Sequence, residues 1–274
     1  MKRFIQIALI ILLFQGCQEE VDLKLDTTEP RVVIEGIITD RWGPYTVLVS
    51  ETLNYYDNSN DNGVSGAEVV ISDNEGFSET LEETEKGVYK TRNLLGKVGN
   101  TYTLRVRYKE ADYEATGTIL EPPIFDSLQY RFVEETPLKE EGYYLYFFGK
   151  TPKPGISYYR WLVYKNGELF NTEPEDFLLA DDEFVNEELS DLEFPFAFSL
   201  TDTVRLEMYS LDRPMFDYYN ELLNILFNDG GLFSPPPENP RSNIKNLTNP
   251  KQPPLGYFQV SPVVSESVII REGQ

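Results

Sequence analysis

Short segments in which β-branched and aromatic residues alternate with polar residues recur along most of this chain. Between residues 31 and 121 they cover 31–39, 45–50, 67–72, 87–90, 102–108 and 113–119. Clusters of Gly, Pro, Asn and Asp separate them, such as the run Asp73-Asn74-Glu75-Gly76. Many short alternating strands joined by turns are typical of antiparallel β-sandwiches. The sequence therefore predicts a first β-sandwich over residues 31–121.

A second set of strands begins after the Pro122-Pro123 pair. It covers residues 124–132, 143–148, 158–164, 203–211, 255–260 and 266–270. Asn166-Gly167 follows the third of these segments and favours a tight hairpin. The predicted fold class is mainly β, with two antiparallel sandwich modules of immunoglobulin-like or fibronectin-like type, 31–121 and 122–274.

The alternation changes to a helical period once, after residue 211. Asp212 is a suitable N-cap, Pro214 suits the first turn, and apolar residues then recur at helical spacing. We expect a helix over 214–228 that packs on a sheet; the alternative is a helix that faces a partner. A proline-rich, irregular loop is expected over 231–254.

The N-terminus reads as a targeting signal rather than as part of the fold. Lys2 and Arg3 precede an apolar run over residues 4–14, which is too short for a permanent membrane span. Gly16-Cys17 then resembles a bacterial lipobox. We therefore predict a signal peptide over 1–16, and lipidation of Cys17 by fatty acyl chains such as palmitate. The alternative is a secreted protein with a spare thiol.

Residues 17–30 form the predicted acidic tether. The run Gln18-Glu19-Glu20-Val21-Asp22 resembles the export signal of Bacteroidota lipoproteins that reach the outer face of the outer membrane. We therefore expect a lipid anchor in the outer membrane and display on the cell surface, with the periplasmic face as the alternative.

Charge and composition exclude several classes of function. The chain has 24 basic and 46 acidic residues, a net charge of −22, which disfavours binding to nucleic acid. It has no His and one Cys, so Ser-His or Cys-His catalysis and zinc sites are not expected. Residues 166–204 lack Lys and Arg but contain many acids and several Phe. This segment is either a docking arm for a basic partner or a solvated excursion held by its Phe residues.

One loop offers a weak calcium candidate. Oxygen-bearing side chains alternate from Asp57 through Ser59 to Asp61, and Glu68 follows Asp57 at the spacing of the last ligand in an EF-hand loop. Asn and Gly also favour turns without any metal, and Glu68 belongs to a predicted strand. We expect no metal and no cofactor.

Several motifs in the second half resemble a known family. They are Phe216-Asp217-Tyr218-Tyr219-Asn220, Phe233-Ser234-Pro235-Pro236-Pro237, Ser242-Asn243-Ile244 and Leu255-Gly256-Tyr257-Phe258. Together they are similar to the domain-of-unknown-function 4249 family, whose members are predicted Bacteroidota lipoproteins often encoded beside TonB-dependent receptors. Residues 64–69 with 87–89 also resemble carboxypeptidase-regulatory-like and prealbumin-type β modules.

This resemblance implies a non-enzymatic lipoprotein that accompanies a TonB-dependent receptor in ligand capture or uptake. The alternative is an adhesin or structural envelope protein without a transport partner. The sequence identifies no ligand.

Overall fold

The computed structural model describes residues 29–53, 62–152, 155–184, 188–228 and 238–272. In chain order the first strands are β1 (Val32–Thr39), β2 (Thr46–Glu51), β3 (Glu68–Asp73), β4 (Ser78–Thr80), β5 (Glu82–Glu85), β6 (Val88–Lys90), β7 (Thr101–Tyr108) and β8 (Ala111–Thr118). The next are β9 (Ile124–Val133), β10 (Gly142–Lys150), β11 (Tyr158–Lys165), β12 (Glu168–Leu169), β13 (Leu178–Asp181), β14 (Glu188–Glu193) and β15 (Thr203–Leu211). Helix α1 (Arg213–Leu226), β16 (Lys245–Asn246), β17 (Leu255–Ser261) and β18 (Val263–Ile269) complete the fold.

Two β-sandwiches and one packed helix result, which confirms the predicted fold class. The first sandwich has two sheets with strand orders β17-β1-β2-β6-β5 and β16-β8-β7-β3-β4. Its core contains Ile34, Val49, Leu104 and Phe258, none more than 1% exposed. Alternation explains this core, because inward residues of each strand lie two apart.

The second sandwich has a three-stranded sheet with the order β14-β10-β9. In its other sheet, β12 and β13 both pair with one edge of β11, β15 pairs with the other edge, and β18 pairs with β15. Leu145, Phe147, Val163 and Leu206 are completely buried between these sheets.

One strand joins a different sheet from the one that the sequence indicates. Residues 255–260 were predicted to close the second module, but β17 pairs in parallel with β1 of the first, from Val33 opposite Leu255 to Thr39 opposite Ser261. Phe258 and Val260 thereby enter the first core. Burying each side chain contributes about 1.5–3 kcal/mol. The alternating pattern of β17 fixes which side chains turn inward, but it does not specify the neighbouring strand.

Two glycines make room for β17. Gly256 has φ +87°, and a Cβ atom there would lie 2.1 Å from the Ile34 carbonyl oxygen. A Cβ on Gly117 of β8 would lie 2.7 Å from a methyl group of Val260. The close approach of β17 to both sheets therefore depends on the absence of side chains at these positions.

Candidate functional site

Most of the residues predicted as sites lie outside the described residues. This holds for the signal peptide 1–16, for the lipidation candidate Cys17, and for Asp57, Ser59 and Asp61. Glu68 lies on β3, with its carboxylate 3.7 Å from the Arg107 guanidinium. Among the described residues there is no group of three or more acidic, His or Cys side chains that could hold a metal ion.

The acidic segment 166–204 is held against the body by its Phe residues. Phe194, Phe196 and Phe198 are buried in the second core, and Phe170 packs against it. Phe184 is 94% exposed. The segment also supplies β12, β13 and all of β14, which lie at sheet edges. Glu168, Glu173, Glu175, Asp181 and Glu183 are exposed along this part of the surface.

Helix α1 packs between the two sandwiches, as predicted for a sheet-packed helix. It covers 213–226 rather than 214–228, and its predicted cap is confirmed, since the Asp212 carboxylate accepts a hydrogen bond from the Met215 amide at 2.9 Å. Met215, Tyr218 and Tyr219 form its buried side. The described part of the loop 231–254 covers 238–254 and includes β16, which pairs with β8.

Three of the four motifs that suggested the family meet at this helix, while the fourth, residues 233–237, lies outside the described residues. Tyr218 and Tyr219 contribute the helix side, and Tyr257 on β17 packs its ring 5.2 Å from that of Tyr218. The side-chain amide of Asn243 donates to the Phe258 carbonyl at 2.8 Å and accepts from the Phe258 amide at 2.9 Å. Motifs separated by up to 40 residues in the chain are thus neighbours at the junction of the two sandwiches.

A buried polar chain crosses the junction. The Arg160 guanidinium of β11 donates to the Tyr219 hydroxyl at 2.8 Å, and this hydroxyl donates to the Gln259 amide oxygen at 2.7 Å. The guanidinium also lies 4.6 Å from the ring centroids of Phe177 and Tyr219, a favourable cation–π arrangement. Burial, moderated by Arg160, raises the pKa of Tyr219. This chain links the second sandwich, the helix and the first sandwich.

A second link lies where β17 leads into β18. The Asp40 carboxylate accepts a hydrogen bond from the Val263 amide at 2.9 Å. The Arg41 guanidinium donates to the Val263 carbonyl at 3.1 and 3.2 Å and to the Ser265 hydroxyl at 2.9 Å. The turn after β1 therefore holds β18 of the second sandwich in place.

Glu35 lies beside this junction, and no residue in the described ranges is a comparable partner for it. It faces Tyr257 across the β1–β17 pair and Leu48 across the β1–β2 pair. Burial raises the pKa of its carboxyl. Burial, and then the charge of Glu35, raises the pKa of Tyr218 to about 12.

Sequence reasoning did not identify Arg160, Gln259 or Glu35. Each occupies an ordinary alternating position in a strand, so its own segment carries no signal. Glu35 is the exception in one respect, because it is a charged residue between Val33 and Ile37 in an otherwise apolar stretch.

In the part of the chain that the structure describes, no helix is both long and apolar enough to span a membrane. A comparison with curated proteins finds no match. The model of the family described as domain of unknown function DUF4249 matches residues 18–267. The chain therefore belongs to this family, as its motifs indicate.

Proposed function

We propose that this protein is a lipid-anchored, non-enzymatic binding component of the bacterial outer membrane, displayed on the cell surface beside a TonB-dependent receptor. Cys17 would carry the acyl chains, residues 18–30 would be the tether, and the first sandwich would be a prealbumin-like module. Several acyl chains hold a protein firmly on a bilayer, so the folded body would not need a membrane-binding surface.

The observation that supports this proposal is the position of the second sandwich relative to Arg31, which follows the proposed tether. Arg31 directly precedes β1, and its guanidinium donates to the Pro253 carbonyl at 2.7 Å. Asp40 and Arg41, at the other end of the same strand, hold the second sandwich. At about 3.3 Å per residue, the eight residues of β1 separate these attachments by roughly 25 Å. The second sandwich is therefore attached at the end of β1 opposite Arg31, away from where the proposed tether would join the body, which suits presentation to a partner.

The surface of the second sandwich supports binding to a basic partner. The exposed acids of β12, β13 and the turn between them form an acidic edge, and the Phe residues beneath it fix the backbone. Fixed surface charge accelerates association with an oppositely charged partner.

The test is purification of the full-length protein from its native membrane through a C-terminal affinity tag. We expect a TonB-dependent receptor to co-purify, and intact-mass analysis to find the processed N-terminus with acyl chains on Cys17. The Cys17→Ser variant should lose the acyl chains and the receptor together. Recovery of abundant outer-membrane proteins alone, or an unmodified Cys17 with residues 1–16 still attached, would refute the proposal.

A further inference from the structure

Glu35 lies at the centre of an apolar area on the outer face of the first sandwich. Its neighbours on the same side of β1 are Val33 and Ile37, both partly buried. Leu48, opposite it on β2, is 40% exposed. Outer faces of antiparallel sheets normally carry polar residues, and exposed apolar areas with a polar group often mark interaction sites.

No cation of the described residues neutralises the carboxylate of Glu35. Among the described residues, none forms a hydrogen bond or an ion pair with it, and its pKa is raised by burial alone. Other partly covered acids of the same sandwich are paired: Glu51 with Lys109 at 2.6 Å and Glu114 with Arg105 at 2.8 Å. A partly desolvated, unpaired charge destabilises the folded protein. Stability therefore does not explain the presence of a Glu at this position.

One partly exposed aromatic ring lies beside this carboxylate. Tyr257 is its neighbour on β17, and the Tyr218 ring, which lies 5.2 Å from that of Tyr257, is itself buried. Aromatic faces and a carboxylate together favour an ammonium or guanidinium group. The protein already uses this chemistry internally, where the Arg160 guanidinium lies 4.6 Å from the ring centroids of both Phe177 and Tyr219.

We propose that Glu35 and the partly exposed ring of Tyr257 receive a Lys or Arg side chain of a partner protein, with apolar residues on either side of that basic residue packing on Val33, Ile37 and Leu48. The net charge of −22 favours a basic partner. This inference rests on the proposed function as a binding component, and it adds a binding surface on the first sandwich to the acidic edge of the second.

The experiment titrates the purified protein with the peptide acetyl-Leu-Arg-Leu-amide and follows the side-chain carboxyl carbons of ¹³C-labelled Glu by NMR. We expect a saturable shift of the Glu35 signal. Acetyl-Leu-norleucine-Leu-amide, which lacks the charge, should bind at least fivefold more weakly. Equal binding of the two peptides would overturn the proposal.

A matched pair of variants separates a local site from the general negative charge of the protein. Glu35→Gln and Glu85→Gln remove the same charge, but Glu85 is exposed on β5 at the edge of the sheet. We expect Glu35→Gln to weaken binding of the Arg peptide at least fivefold and Glu85→Gln to leave it within twofold. Similar losses in both variants would show that the peptide only senses the overall charge.

Thermal unfolding tests whether Glu35 instead stabilises the folded protein. A carboxyl whose folded pKa is raised destabilises the folded state at neutral pH, and this cost disappears as the pH falls below its unfolded pKa. Glu35→Gln should therefore raise Tm at pH 7 and have little effect near pH 4. A lower Tm at pH 7 would reveal a structural role and overturn the proposal. Co-purification of a receptor with the wild-type protein is measured separately, so failure of the peptide to bind would refute this inference and not the proposed function.

Discussion

Replacement of Tyr219 by Phe removes a single oxygen atom from the centre of the junction. That oxygen accepts from Arg160 and donates to Gln259. Tyr219 is 2% exposed and Gln259 is 1% exposed, so water cannot easily replace either hydrogen bond. The substitution keeps the ring and its packing against Phe177 and Tyr257.

The expected cost follows from the two lost hydrogen bonds. A hydrogen bond to a charged group contributes about 1.5–3 kcal/mol, and a buried acceptor left without a donor costs about 1–3 kcal/mol. Because Arg160 keeps its contact with the ring of Phe177, we expect a total loss of about 2–3 kcal/mol from the free energy of unfolding. For a chain of this length that corresponds to a decrease in Tm of about 5–10 °C.

The assay is guanidinium-induced unfolding followed by tryptophan fluorescence, since Trp161 lies in the second core. Tyr113→Phe is the matched control: Tyr113 is 7% exposed, and its hydroxyl has no hydrogen-bond partner among the described residues. This control should change stability by less than about 0.5 kcal/mol. Combining Tyr219→Phe with Gln259→Leu should give a coupling energy of about 1 kcal/mol or more. If Tyr219→Phe costs no more than the control and shows no coupling, the polar chain does not hold the junction.

Two further predictions concern β17 and the acidic segment. Gly256→Ala places a Cβ atom 2.1 Å from the Ile34 carbonyl oxygen at φ +87°, so hydrogen exchange should show loss of amide protection along β17; unchanged protection would contradict the packing. Hydrogen bonds from Lys139, and then from Tyr146, lower the pKa of Glu193 below its ordinary value of 4.5. Its contribution to stability is therefore present above pH 4.5 and lost as the pH falls through the folded pKa. The same pairing raises the pKa of Tyr146 to about 12, so a stabilising contribution present below pH 10 should be lost as the pH rises through 12. Glu193→Gln should flatten both ends of the pH–stability profile, and an unchanged profile would refute this assignment.

The strands that could be predicted are those whose alternation is set by a core. Residues 203–211 form β15 with the predicted bounds, because Val204, Leu206 and Met208 all point inward. The short strands β4, β5, β12 and β16 were not predicted, because they consist mostly of polar residues and form by pairing with a neighbour. In the acidic segment, the apolar residues of β13 are consecutive and those of β14 are few, so neither strand shows an alternating period.

The junction could be predicted only in part, for a different physical reason. The helix period and the cap at Asp212 predict a packed helix in this region, and the family motifs surround it in the sequence. The three-dimensional partners of those motifs come from the parallel pairing of β17 with β1, which joins residues about 220 positions apart. No local property of either strand encodes that pairing, so Arg160, Gln259 and Glu35 could not be assigned to one site from the sequence.

Stability measurements can therefore separate two kinds of residue at this junction. Tyr219 satisfies buried groups on both sandwiches, so its removal must destabilise the folded state. Glu35 has no such partner among the described residues, and burial raises its pKa, so its removal should stabilise the free protein. Both residues lie against Tyr257, so a shared loss of packing would change the free energy of unfolding of both variants in the same direction. Opposite changes in the free energy of unfolding at pH 7 would show that Tyr219 holds the two sandwiches together and that the Glu35 carboxylate destabilises the free protein. Such a destabilising carboxylate is expected if its counter-charge is supplied only by a partner in a complex.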